Sequence, residues 1–182
     1  RNMRNHVSQH KLALLIFTLI AILLPGLGMA QGNLLDNPGF DEDLSGWENP
    51  YDRTGDWNML DASSSPISGS ALVANESDPS SGGTPSVLVQ CIPATGSTEY
   101  QYGGQVNVPP GQPGDALGQY VVITYPTHDC TGSALQVLST FSGGIDTWTM
   151  FGDTFITDSD TGSINFAIGV SKPAGISQVA SA

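Results

Sequence analysis

From residue 86 onward, apolar and polar residues alternate with a period of two. That is the repeat of a strand with one buried face and one wet face. Val87 and Val89 alternate with Leu88 and Gln90 and run into Cys91. Tyr100, Tyr102, Val106 and Val108 fall on one face, while Gln101, Gln105 and Asn107 fall on the other. Residues 119–125 are apolar on both faces, which predicts a central strand covered twice. Leu135, Val137 and Phe141 alternate with polar residues, residues 148–155 make a further strand, and Ile164, Phe166, Ile168 and Val170 alternate almost without a break. Upstream, Leu34-Leu35 predicts an opening strand, residues 54–59 a weak strand around Trp57, and residues 70–75 a short apolar one. Asn37-Pro38-Gly39, Val108-Pro109-Pro110-Gly111 and Lys172-Pro173-Ala174-Gly175 are turns, and the 22 Gly and 12 Pro suit many tight connections. Eight or nine short strands without an amphipathic helix predict an all-β sandwich of two antiparallel sheets. Residues 176–182 are too short and too small to make a good final strand.

The N-terminus follows a different rule. Arg4 and Lys11 precede an apolar run over residues 12–24, broken only by Thr18. Pro25-Gly26 ends the run, and Gly28-Met29-Ala30 offers a small-residue cleavage site. The run is short for a membrane span, which needs about 20 residues. Residues 1–30 are therefore expected to be a helical signal peptide, and residues 31–182 one exported domain, secreted or periplasmic and free of the membrane after cleavage. A domain of that length buries roughly 70% of its unfolded surface.

Charge narrows the partners. All 17 acidic residues lie after Ala30, where Arg53 and Lys172 are the only Lys or Arg, so the domain carries a formal charge near −15. Such a surface repels nucleic acid and anionic membrane. It suits neutral ligands or cations. The domain is expected to be a monomer. Cys91 and Cys130 both follow the signal, and in an oxidising compartment such a pair reads as one disulfide. With only His128 nearby, the two cysteines do not make a zinc set.

No catalytic constellation stands out. His128 is the one histidine after the signal, and no Gly-x-Ser-x-Gly elbow accompanies it. The carboxylate pairs Asp41/Asp43 and Asp158/Asp160 carry no signature that would set them apart in a glycosidase cleft. Residues 158–162 read as a turn. Asn75-Glu76-Ser77 matches a glycosylation sequon. Flat aromatics stack on pyranose faces, and Trp57 and Tyr51 are the candidates for exposed ones. Phe40, Trp47, Trp148 and Phe166 read as core, as do Tyr100 and Tyr102.

Residues 33–47 read NLLDNPGFDEDLSGW. This stretch resembles the opening of carbohydrate-binding modules of the cellulase-C type, within the galactose-binding-like jelly-roll superfamily. Ser68-Gly69-Ser70-Ala71-Leu72 is similar to a segment that opens a following strand in that family. Gln90-Cys91 with Asp129-Cys130-Thr131-Gly132 resembles the cysteine pair of an exported subgroup, and Asp146-Thr147-Trp148 resembles a Trp-bearing strand near the end. The resemblance covers about residues 33–175. It implies a jelly roll, a structural Ca2+ ion and binding of a polysaccharide or cell-surface glycan without catalysis. Asp41 stands where the family has an acid that helps hold the ion. The family's second acid lies in a Phe-Asp-Asn-Val-like last strand, which has no counterpart here. The metal site is therefore expected to be incomplete and the domain C-terminally truncated, with its last strand missing. The other reading consistent with the same fold is a structural or cell-envelope interaction protein that binds no sugar.

Overall fold

The computed structural model describes residues 32–51, 53–76, 86–112, 116–172 and 180–181. The expected signal peptide, residues 1–30, lies outside them. Among the described residues nine strands follow in chain order: β1 (Gly55–Asn58), β2 (Ser70–Asn75), β3 (Ser86–Pro93), β4 (Glu99–Val106), β5 (Leu117–Tyr125), β6 (Gln136–Ser142), β7 (Thr149–Ile156), β8 (Ser163–Ser171) and β9 (Ala180–Ser181). Every ladder is antiparallel, and no helix occurs among the described residues. The domain is an all-β sandwich.

One layer is a four-stranded sheet in the order β3-β8-β5-β6. The facing layer comes as two plates, β1-β2-β9 and β4-β7. The period-two pattern explains which side chains meet between them. Val122 of β5 lies opposite Phe166 of β8, Tyr120 lies opposite Ile168, and all four point inward. The β1-β2-β9 plate places Val73 against Leu88 and Val170. The β4-β7 plate places Tyr100, Tyr102, Phe151 and Phe155 against Val122, Ile164 and Phe166. Trp47 and Ile168 touch both halves of the core. Val87 and Val170 have no exposed surface, and burial of each such side chain stabilises by roughly 1.5–3 kcal/mol. Central β5 and β8 carry the heaviest burial, in line with the two-faced apolar run over residues 119–125.

The opening strand expected at Leu34-Leu35 is not formed. Gln90 lies nearby with its side chain turned inward, and it takes over the pairing. Its amide accepts from Asp36 N at 2.7 Å and donates to Asp36 O at 3.0 Å and Gly46 O at 2.8 Å. The backbone that pairs with β3 is instead Glu48, which exchanges two hydrogen bonds with Val89, both 2.8 Å. At the other end of the chain, β2 gains a short partner. Two residues, Ala180 and Ser181, pair with Asn75 and Ala74 at the edge of β2.

Cys91 and Cys130 form a disulfide with their Cα atoms 6.0 Å apart. It ties the end of β3 to the loop between β5 and β6. The sequon at Asn75 is shut: Asn75 is fully buried, and its side-chain amide donates to Val170 O at 2.8 Å. Lys172, also buried, donates to Asn75 O at 3.2 Å.

Candidate functional site

The first corner is built around one asparagine. Asn37 takes a left-handed conformation, φ 46°, which asparagine tolerates better than most residues. Its carbonyl closes the expected turn by accepting from Phe40 N at 3.2 Å, and it also accepts from the Trp47 indole at 3.2 Å. Its side-chain oxygen accepts from Asp41 N at 2.6 Å, while its NH2 donates to Asp43 O at 3.0 Å and Ser45 O at 3.1 Å. The corner so formed holds the Phe40 and Trp47 rings 5.3 Å apart. Trp57 braces it from β1, its indole N–H donating to Phe40 O at 2.8 Å.

Beside this corner the two plates of the facing layer leave a gap. The gap opens a cleft of about 470 Å³. Its floor is the inner face of the four-stranded sheet at Gly118, Tyr120, Phe166 and Ile168. One wall is β2 at Ala71, Leu72 and Val73, and the other is β4 from Gly103 to Val106. Phe40, Trp47, Trp148 and Phe151 supply aromatic surface, and Asn58, Gln105, Asn107, Asp61 and Asp146 supply polar groups. Glycines stand where neighbouring strands pack closely around the cleft. A Cβ on Gly69 would lie 2.7 Å from the Trp57 indole nitrogen, and one on Gly118 would lie 2.5 Å from Val106 Cγ2.

The charge of the cleft is negative. No Lys, Arg or His lines it among the described residues. Arg53 lies 4.5 Å over the ring of Tyr51, and Lys172 is buried beneath Asn75. The Ser63 hydroxyl and the Ser65 amide, each 2.6 Å from the Asp61 carboxylate, hold its pKa below the usual carboxylate value. Asp61 lines the cleft with these two hydrogen bonds already made. Burial pushes the Tyr120 phenol well above its ordinary range, so it stays protonated.

The expected site residues fall outside this cleft. Tyr51 is 61% exposed and Trp57 is 38% exposed, and neither lines it. Phe40, Trp47 and Trp148 read from sequence as core, yet they are half-buried and line it. Val108, in the turn that runs into Pro109 and Pro110, bridges Ile145, three residues before Trp148, and Asn107, Pro109, Pro110 and Trp148 line the same cleft. Tyr100 and Tyr102 are core as expected, and their hydroxyls bond Thr95 N at 2.9 Å and Thr140 Oγ1 at 2.7 Å. His128 is exposed in its loop, with Nδ1 3.1 Å from Gly162 O. Asp41, the expected metal ligand, is exposed, and no group of three or more His, Cys, Asp or Glu is placed to hold an ion among the described residues.

A solved family 16 carbohydrate-binding module aligns over 82% of this chain and 95% of its own, with a TM-score of 0.53 and 13% identity. The chain shares the β-sandwich fold of that module. A second structure, the enzymatically active domain of bacteriophage CBA120 tailspike protein 4, aligns over the same share with a TM-score of 0.54 and 11% identity. This chain spans only 20% of that structure. No protein-family profile and no curated protein sequence matches the chain. At these identities the likeness is one of fold. No helix among the described residues is long and apolar enough to cross a membrane.

Proposed function

We propose that the domain is a non-catalytic glycan-binding module of an exported protein, secreted or periplasmic, and that its ligand lies in the cleft between the two plates. The aromatic lining carries this reading. Phe40, Trp47 and Trp148 offer flat apolar surface to a sugar ring, while Asn58, Asn107 and Asp61 offer hydrogen-bonding groups to its hydroxyls. A cleft of about 470 Å³ falls within the ordinary size range of small-ligand sites, about 300–1,000 Å³. The aligned family 16 module supports the same direction, and the disulfide suits an oxidising compartment. Tyr51 and Trp57 add weaker contacts outside the cleft. The partner is a polysaccharide or a cell-surface glycan.

Affinity electrophoresis through gels cast with soluble polysaccharides tests this. Retardation of the wild type by at least one polysaccharide is expected, with Trp148→Ala losing most of it. Tyr51→Ala and Trp57→Ala are expected to lose less. If folded wild type runs unretarded through every polysaccharide, the structural or envelope reading takes its place.

A further inference from the structure

We propose that the first corner needs no cation, because the Asn37 side-chain amide occupies the position from which a cation would organise it. The jelly-roll resemblance implies a calcium ion with Asp41 as a ligand. The residues present do not fit one. Hard cations gather six to eight oxygens, largely carboxylates and backbone carbonyls. Here the carbonyls of Asp43 and Ser45 converge on a single point, but the Asn37 NH2 already donates to both, at 3.0 and 3.1 Å. The same NH2 lies 3.5 Å from Asp43 Oδ1 and 3.4 Å from Ser45 Oγ. Four oxygens thus surround one nitrogen, as they would surround an ion. An amide NH2 and a bound cation exclude one another at this position, since both need the same lone pairs. The acids next to it are otherwise engaged or turned out: Asp43 Oδ1 accepts from Ser45 N at 2.8 Å, and Asp41 is exposed.

Asn37 also reaches outward from this point. It holds Asp41 N, Phe40 N and the Trp47 indole, so one residue fixes the two aromatics at the cleft rim. Asn37 is thus a positioning residue for Phe40 and Trp47. The inference concerns the corner and stands whether or not the cleft binds sugar.

The test reads stability and ion binding separately from any glycan. Wild type is expected to melt at the same temperature in EDTA and in millimolar calcium. It is also expected to give no saturable terbium luminescence sensitised by Trp47. Asn37→Asp puts a carboxylate where the amide faces two carbonyls. In EDTA it is expected to melt several degrees lower, and calcium to recover part of that loss. Asn37→Ala, which removes the amide and adds no charge, is expected to melt lower whether or not calcium is present. A calcium-dependent rise in the wild-type melting temperature, or saturable terbium luminescence that Asp41→Asn abolishes, would overturn the proposal. So would an Asn37→Ala variant as stable as wild type.

Discussion

The Gln90 amide meets three backbone groups of the first corner: Asp36 N–H, Asp36 C=O and Gly46 C=O. Gln90 is 5% exposed, and its three bonds are part-buried. Gln90→Leu keeps the bulk and removes the bonds. A buried group left without a partner costs about 1–3 kcal/mol, so a loss of about 3 kcal/mol is expected from urea unfolding. Trp57 makes a milder case. Trp57→Phe keeps the ring and deletes the bond to Phe40 O. A net loss of about 1 kcal/mol is expected in the same measurement.

At the level of elements, the disulfide closes a loop with a sequence separation of 39 between β3 and the β5–β6 loop. Replacing both cysteines by serine is expected to cost roughly 3–4 kcal/mol in the chain-entropy account, read from urea unfolding under identical conditions. Asp43, Asp61 and Asp129 each accept hydrogen bonds from nearby serine or threonine groups, the side-chain hydroxyl contributing most, and each lies below the model-peptide value of 3.8. A carboxyl whose folded pKa is depressed favours the fold above its unfolded pKa and loses that contribution as the pH falls through the folded value. The melting temperature is therefore expected to drop below pH 3.8, and an Asp43→Asn, Asp61→Asn, Asp129→Asn triple variant to drop less steeply there. Most strands were legible because alternation is a local property: the expected strands around residues 70–75, 119–125 and 164–170 return as β2, β5 and β8. Leu34-Leu35 misled because its pairing was decided by Gln90, more than fifty positions away, through a side chain. The cleft was hidden for a similar reason. Phe40, Trp47 and Trp148 look apolar in sequence whether they meet a packed core or a gap, and only the split between two plates separates those cases.

Taken whole, the molecule is strongly acidic, with a formal charge of −12 for the full chain. Like charges on a compact body repel, and added salt screens them over about 10 Å at 0.1 M. The melting temperature is expected to rise as sodium chloride is added from low ionic strength, which a thermal scan checks directly. A melting temperature that ignores salt would mean that the acids are spread too widely to strain the fold.

The facing layer has one more consequence. Its two plates share no ladder among the described residues, so their spacing is set by side chains such as Trp47 and Ile168 rather than by backbone pairing. No strand-to-strand hydrogen bond among the described residues ties the β4-β7 plate to the β1-β2-β9 plate. In hydrogen exchange, β4 and β7 would lose and regain protection together, on a schedule of their own, while β5 and β8 beneath them hold fast.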